Sequence, residues 1–418
     1  MNLQLKISDI SNLKSQISIT GSKSETNRLL LLQALYSNLV LENTSNSDDS
    51  EVMLDVLKKF QLPASNSQLF DIHHAGTAMR FLTAFFAIQE GKEVVLKGSS
   101  RMQERPIQIL VAALNQLGAE ISYVEKEGFP PIKIKGKKLT NNKVSLSANV
   151  SSQYISALLL IAPKLENGLE LTLEGEITSI PYIKMTLALL NEIGVVTSFE
   201  KNVIKVNNLQ TITSKLITVE SDWSSASYWY SIVAISEIGT EIQLSSYKEN
   251  SLQGDAVLVE IYRDFGVESI FIENTILLKK IRNFQLPTSD FQLDLKDSPD
   301  IAQTIAVTCF GLGIGCCLAG LHTLKIKETD RLEALKTELT KLGATVSITN
   351  DSLTLEPSGK INENVNISTY QDHRMAMAFA PLALKVPVVI ENAEVVSKSY
   401  PSFWDDLKQV GFLFNKKQ

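Results

Sequence analysis

One pattern repeats along this chain and limits the folds open to it: a helix with apolar residues on one face, a glycine, then a β-like run. It occurs at residues 110–117 before Gly118, 185–193 before Gly194, 257–265 before Gly266, 332–342 before Gly343 and 403–410 before Gly411, with a weaker copy lacking the glycine at 52–60. Glycine just past a helix is the expected stop, because it takes a positive φ without a Cβ penalty. Between these helices runs a second series of six segments that open on small polar residues and continue as almost wholly apolar helices. They begin at Gly21-Ser22-Lys23-Ser24, Ala75-Gly76-Thr77, Ser151-Ser152-Gln153, Asp222-Trp223-Ser224, Ser298-Pro299-Asp300 and Gln371-Asp372-His373. Helices of the first series keep one face in solvent, whereas the second series must be central and buried. From the second copy onward the spacing is roughly 70 to 77 residues, beyond the roughly 20 to 50 of solenoid repeats, so each unit is a compact βαβαββ element. The expected fold is therefore α/β, six βαβαββ units grouped three plus three, because 418 residues exceed one ordinary core. The domains are expected at 20–221 and at 1–19 plus 222–418, with a hinge near Ser221 and a second crossing near Thr20. The polar helix starts then converge on one inter-domain cleft as an anion trap.

Composition narrows the function. A net charge of −6 gives no general affinity for nucleic acid or anionic membranes, so any cationic site is local. The start of the chain has neither the apolar core of a signal peptide nor an Arg-rich transit pattern, which points to the cytoplasm. The most apolar run, 305–321, holds Gly311, Gly313, Gly315 and Gly320 and reads as a buried helix followed by a buried strand rather than a membrane span. Gly311-Leu312-Gly313-Ile314-Gly315 is no dinucleotide loop, because it follows a helical run and has no spaced acidic partner. Cys309, Cys316 and Cys317 lack zinc spacing and make a poor disulfide framework, and the four histidines form no metal motif, so no metal and no cofactor is expected.

The charged residues cluster at helix entries. In Lys325-Ile326-Lys327-Glu328-Thr329-Asp330-Arg331, Asp330 and Glu333 are placed as a capping box, which sets Lys327 and Arg331 at a helix N-terminus with Glu328 between them as a candidate acid or base. Ser22 and Glu25 read as a second capping box, with Lys23 and Ser24 in the first helical turn and Arg28 one turn on, a set suited to a phosphate. Gly76 permits close backbone approach of a ligand, followed by Thr77 and Arg80. Arg101 and Arg105 lie on a loop ended by Pro106, which presets the next helix, and Arg is the fork for a carboxylate or phosphate. Ser151, Ser152 and Gln153 open one buried helix. Asp300 opens another, in the place of a catalytic base, and Asp372-His373-Arg374 opens the last, with Lys398 ahead of the final amphipathic helix. Taken singly, each cluster also reads as ordinary capping or solvated charge.

Taken in order, Gly21-Ser22-Lys23-Ser24 with Asn27-Arg28, Ala75-Gly76-Thr77-Ala78-Met79-Arg80, Arg101-Met102 with Glu104-Arg105-Pro106, Ser151-Ser152-Gln153, Lys327-Glu328-Thr329-Asp330-Arg331 and Asp372-His373-Arg374-Met375-Ala376-Met377 resemble the enolpyruvyl transferase family, most closely its EPSP synthase branch, essentially from end to end. The resemblance implies a two-domain inside-out α/β barrel closing on substrate. It also implies transfer of the carboxyvinyl group of phosphoenolpyruvate to the 5-hydroxyl of shikimate 3-phosphate, releasing phosphate by addition and elimination, with glyphosate as a phosphoenolpyruvate mimic. By position, Lys23, Ser24, Arg28, Ser151, Ser152, Gln153, Ser179, Asp300, Thr323 and Lys327 are implied to hold shikimate 3-phosphate. Lys23, Gly76, Thr77, Arg105, Gln153, Arg331, Arg374 and Lys398 are implied to hold phosphoenolpyruvate, and Asp300, Glu328 and Lys23 to move protons. Thr20 stands where the family usually has Pro, and His74 and Thr323 stand where it usually has Asn. Two small anionic substrates, no nucleic acid, no membrane and a monomeric chain complete the expectation. The rival readings are the sister enzyme acting on a UDP-linked amino sugar, which usually carries a Cys on the loop that here runs from Arg101 to Pro106, and a non-catalytic anion-binding module on the same fold.

Overall fold

The computed structural model describes residues 1–7, 14–62, 67–147, 151–175, 177, 180–284 and 291–417. They form two compact units, Ser22–Val219 and Met1–Gly21 joined with Glu220–Gln418.

In the first of these, strands Ser67–Asp71 and Glu93–Lys97 pair in parallel across the buried helix Gly76–Ala87. Helix Gln108–Gln116 and the antiparallel strands Glu120–Tyr123 and Ile132–Lys135 complete a βαβαββ unit whose sheet runs first, second, fourth, third strand. Strands Lys143–Ser147, Leu169–Glu174, Thr197–Glu200 and Val203–Val206 repeat that wiring. The remaining copy departs from the expected six equal units: it is a parallel pair, Leu39–Glu42 with Lys215–Thr218. The reason is chain length, since only residues 62–66 separate helix Asp48–Gln61 from the first strand of the next unit and no hairpin fits.

The other unit is wired alike. Strands Phe291–Asp294, Cys316–Ala319, Val346–Ile348 and Leu353–Leu355 form one four-stranded sheet in the same order. Two further sheets each borrow a strand from the start of the chain: Lys14–Ile17 lies parallel to Glu241–Ser245, and Asn2–Ile7 lies between Val388–Ile390 and Phe412–Lys417.

Helices lie inside and sheets outside in each unit. Lys23–Leu35, Gly76–Ala87 and Ser152–Ile161 pack on one another in one, and Ala302–Gly311 packs on both Trp223–Ile235 and His373–Phe379 in the other. Beyond their polar starts these helices are largely apolar and bury almost completely, as Leu29, Leu31 and Leu32 at 0% exposure show, and each such side chain contributes about 1.5–3 kcal/mol. The run 305–321 resolves into helix Ala302–Gly311 and strand Cys316–Ala319, with the glycine triplet as the turn. Among the described residues no helix is long and apolar enough to cross a membrane.

Helix ends explain most of the boundaries. The five glycines that follow amphipathic helices have φ between 79° and 102°. Asp330 caps helix Arg331–Lys341 by accepting from Leu332 N and Glu333 N at 3.1 and 3.2 Å. Ser22 differs from expectation: it occupies the N-cap of Lys23–Leu35 but its side chain makes no capping bond there, and its carbonyl accepts from Thr26 N at 2.9 Å. The segment expected as a loop around Arg101 begins as a short helix, Ser100–Gln103, because Ser99 Oγ accepts from Met102 N at 3.3 Å. Pro106 then lies ahead of the N-cap Ile107 rather than in the first turn. Asp300 sits on the 3₁₀ turn Pro299–Ile301 that precedes helix Ala302–Gly311.

Candidate active site

In the unit Ser22–Val219, Lys23 opens its helix with Nζ 3.6 Å from Asp49 Oδ2, while His74 Nε2 lies 3.9 Å from Asp49 Oδ1. Asp49 is in the first turn of Asp48–Gln61. Thr26 Oγ1 accepts from Ser45 N at 2.9 Å, and hydroxyl contacts run on through Ser45, Ser47 and Ser50, so the two helix starts are tied together. Arg28 does not lie on a solvated face. It is 3% exposed, with Nη1 donating to Ser24 O at 2.8 Å, Nε to Thr186 Oγ1 at 2.8 Å and Nη2 to Ser156 Oγ at 2.9 Å. Burial pulls its guanidinium down to about 10 against the pull of Tyr182 and Glu25, which leaves it a cation at neutral pH.

The Arg105 guanidinium rests directly on Gly76: a Cβ there would meet Nη1 at 2.5 Å. Arg80 braces the segment that carries Arg105, with Nη1 donating to Gly76 O at 3.1 Å and Nη2 to Pro106 O at 3.0 Å, and Tyr154 OH donates to the same Pro106 carbonyl at 2.6 Å. Gln153 Nε2 donates to Thr77 Oγ1 at 3.1 Å, which links the starts of two buried helices. Ser151 is the exposed N-cap of Ser152–Ile161, accepting from Gln153 N at 3.4 Å, and Ser152 behind it is buried. Ser179 lies outside the described residues.

In the other unit the expected cations and carboxylates form one buried net. Arg331, 1% exposed, donates from Nε to Asp372 Oδ2 at 2.6 Å, from Nη1 to Asp300 Oδ1 at 2.9 Å and from Nη2 to Glu328 Oε2 at 2.7 Å. Burial alone would depress this guanidinium, but Asp372, Glu328 and Asp300 more than offset it and raise its pKa. Arg374 donates from Nη1 to Asp300 O at 3.2 Å and from Nη2 to Asp300 Oδ2 at 3.1 Å and Ser224 Oγ at 3.3 Å. Its buried Nε has no hydrogen-bond partner among the described residues. Here too burial lowers the pKa while Asp300, Tyr228, Asp255 and Asp222 raise it well above the ordinary value. Lys327 Nζ is 3.6 Å from Asp300 Oδ1. Thr323 is half-buried on the turn His322–Ile326, and its Oγ1 has no hydrogen-bond partner among the described residues.

Asp372 does two tasks with one carboxylate: Oδ1 caps its helix by accepting from Arg374 N at 2.9 Å, and Oδ2 holds Arg331. The turn before it places Tyr370 and Gln371 in the left-handed region, at φ 54° and 58°. That costly conformation presents Gln371 O to Lys398 Nζ at 2.7 Å.

A family model described as EPSP synthase (3-phosphoshikimate 1-carboxyvinyltransferase) matches residues 7–407. The chain belongs to the EPSP synthase family. It is 45% identical over 406 residues to a 3-phosphoshikimate 1-carboxyvinyltransferase of Bacteroides fragilis, covering 96% of each chain. A Haemophilus influenzae protein of the same name is 35% identical over 438 residues, covering 97% of this chain and 99% of that one. In fold the chain is similar to a solved EPSP synthase from Acinetobacter baumannii, with a TM-score of 0.82 at 20% identity, and to an enolpyruvyl transferase from Streptomyces tendae, with a TM-score of 0.74 at 13% identity, each over the full length of both chains.

Within this EPSP synthase framework, two residues of the two clusters were not named by sequence, and two were named only as polar helix starts. Asp49 looks like any acid in a first helical turn and Asp255 carries no local signal, whereas Ser224 and Asp372 stand among the helix starts without a role of their own. Only the repeat offered a pointer: Ser224 and Asp372 open buried helices of the same series that supplies Lys23 and Asp300.

Proposed function

We propose that the protein transfers the carboxyvinyl group of phosphoenolpyruvate to the 5-hydroxyl of shikimate 3-phosphate, giving 5-enolpyruvylshikimate 3-phosphate and phosphate on the route to chorismate and the aromatic amino acids. The observation that carries this reading beside family membership is Arg374, a buried cation whose Nε has no partner among the described residues, inside a net of Asp300, Ser224 and Arg331. Such a preorganised guanidinium suits a small carboxylate or phosphate.

In the proposed division of labour, Lys23, Ser24, Arg28, Ser151, Ser152, Gln153 and Ser179 bind shikimate 3-phosphate from the unit Ser22–Val219, with Asp300, Thr323 and Lys327 contributing to its hydroxyls. Arg28, whose donors already serve Thr186, Ser156 and Ser24, adds charge and fixes the helix start. Arg331, Arg374 and Lys398, together with Lys23, Gly76, Thr77, Arg105 and Gln153, hold phosphoenolpyruvate. The methylene carbon takes a proton from Glu328 or Lys23, which gives C2 positive character. The 5-hydroxyl attacks C2 and loses its proton to Asp300. The adduct then returns a methyl proton to the group that gave it and expels phosphate, which takes up the proton held by Asp300, restoring the double bond and both acid and base. Proton transfer and charge stabilisation suffice, so the steps call for no redox partner or covalent nucleophile.

The protein is proposed to act as a monomer in the cytoplasm on these two small substrates. Phosphate release that requires both shikimate 3-phosphate and phosphoenolpyruvate tests the assignment. Release only with a UDP-linked amino sugar would overturn it, and so would binding of shikimate 3-phosphate without turnover.

A further inference from the structure

Asp255 belongs to none of the roles assigned above, yet it borders them. It sits on the turn Gly254–Val257 at 6% exposure, and its Oδ2 accepts from Ser224 Oγ. Ser224 Oγ in turn receives Arg374 Nη2 at 3.3 Å, and the same nitrogen donates to Asp300 Oδ2 at 3.1 Å. A hydroxyl has one proton, so while Ser224 gives it to Asp255, only its lone pairs face Arg374. The other groups that bear on Asp255 come from the elements around it: Asp222, the N-cap of Trp223–Ile235, Arg374 on His373–Phe379, and Asp300 on Pro299–Ile301.

We propose that Asp255 is a positioning residue of the anion site: acting through the Ser224 hydroxyl, its charge state governs how freely the Arg374 guanidinium is given to an incoming carboxylate. This rests on the assignment of Arg374 to phosphoenolpyruvate. As a carboxylate, Asp255 orients Ser224 and competes with the ligand for the field of Arg374; as an acid, it does not compete. Burial above all, then Asp300, lifts Asp255 to about 7, with Arg374 and the Ser224 hydroxyl opposing and Asp222 adding. Both forms are therefore populated near neutrality. An anion on Arg374 removes the cation that favours the carboxylate, so binding raises the proton affinity of Asp255. By reciprocity, protonation of Asp255 favours the anion by the same factor.

The test compares the KM for phosphoenolpyruvate of the unmodified protein with that of Asp255→Asn from pH 6 to 8.5, as a ratio at each pH so that ionisation of the ligand cancels. Asn keeps the acceptor for Ser224 and removes the charge. The ratio of unmodified to variant KM is expected near one at pH 6 and to climb roughly five- to tenfold by pH 8.5, with kcat little changed. In Asp255→Asn with Ser224→Ala, no further pH dependence should appear. A ratio flat across the range overturns the proposal. A second readout needs no turnover: with carboxyl-labelled aspartate, the resonance lost in Asp255→Asn should titrate near neutrality and move to higher pH when phosphoenolpyruvate is added. Titration in the ordinary aspartate range, or no movement with ligand, also overturns it. Unmodified protein that lacks turnover would count against the assigned reaction, while this titration still decides the role of Asp255.

Discussion

Gly76→Ala isolates the contact between a bare helix start and Arg105. The added Cβ would stand 2.5 Å from Arg105 Nη1, 2.7 Å from Nη2 and 2.8 Å from Cζ. Ordinary contact needs about 3.5 Å or more, so the guanidinium must retreat by roughly 1 Å. The obstruction is the far end of a flexible side chain, and Gly76 opens a helix with no positive φ, so rotation of Arg105 relieves the clash. Alanine also gains up to about 1 kcal/mol of helix propensity over glycine. Folding stability should therefore stay the same or rise slightly. Binding should not: a hydrogen bond to a charged group contributes about 1.5–3 kcal/mol, so displacing Arg105 is expected to raise the KM for phosphoenolpyruvate roughly ten- to hundredfold. The KM for shikimate 3-phosphate should change little. Phosphate-release kinetics with thermal melts on Gly76→Ala, Arg105→Ala and the double variant check this. If the clash acts through Arg105, the double variant is no worse than Arg105→Ala alone. Additive losses, or an unchanged KM with a melting point several degrees lower, would refute the reasoning.

Asp300→Asn and Glu328→Gln keep shape and lose proton transfer, so each should lower kcat by roughly 10²- to 10⁴-fold with a smaller effect on shikimate 3-phosphate affinity; if Glu328→Gln still exchanges solvent hydrogen into the methylene group at full rate, Lys23 becomes the donor. Glu338, fully buried, accepts from Lys341 Nζ at 2.8 Å, Tyr370 OH at 2.6 Å and Ser368 N at 3.2 Å. Lys341 and Tyr370 are more than a third exposed and regain water, so Glu338→Leu should cost about 1–3 kcal/mol in denaturant unfolding through the lost hydrogen bonds, and an unchanged or higher stability would show that the carboxylate adds nothing to the fold. Lys280, 1% exposed, donates to Ala234 O at 2.6 Å and Phe265 O at 2.8 Å, and burial, aided by Lys385 and Arg282 against Glu237, lowers its amine to about 8. A folded pKa below the unfolded value of about 10.4 means the unfolded chain binds more protons between them, so stability gains at most about 1.4 kcal/mol per pH unit from pH 8 to about 10.4. The difference in unfolding free energy between the unmodified protein and Lys280→Met should show that slope, and a flat difference would place the amine at its ordinary pKa.

The fold was legible because its repeat is written in two independent signals, apolar periodicity and glycine stops, and both act locally. Gly118, Gly194, Gly266, Gly343 and Gly411 need positive φ wherever the chain goes next. That the start of the chain joins the C-terminal half was an expectation from the sequence, but which strands it pairs with was not legible. Nothing in Lys14-Ser15-Gln16-Ile17 says that it pairs with Glu241–Ser245, because a β-run fixes which face is buried and not which partner lies beside it. The same limit governs the candidate site. Lys23, Asp300 and Arg331 stood out because helix starts concentrate charge where an anion gains most. Arg28 stood out for the same reason, yet its donors turn inward to Thr186 and Ser156, residues with no local signal.

The Arg331 net shows why distance in sequence hides such a site. Its three carboxylates come from the turn Pro299–Ile301, the segment just before helix Arg331–Lys341 and the N-cap of His373–Phe379. Only Glu328 is near it in the chain. A buried cation among three acids is stable only if each acid has another donor or another cation beside it. Asp372 has Arg374 N, and Asp300 has Arg374 and Lys327. That reciprocal satisfaction makes the cluster a preorganised electrostatic surface, because an arriving anion meets cations already held in place and need not reorganise them. On this argument Arg331→Lys, which keeps the charge but cannot serve three carboxylates from a planar fork, should lose far more activity than a surface Arg→Lys change. The loss should appear in the KM for phosphoenolpyruvate and in kcat together. A variant with unimpaired kinetics would mean that charge alone, without the fork, is what the cluster supplies.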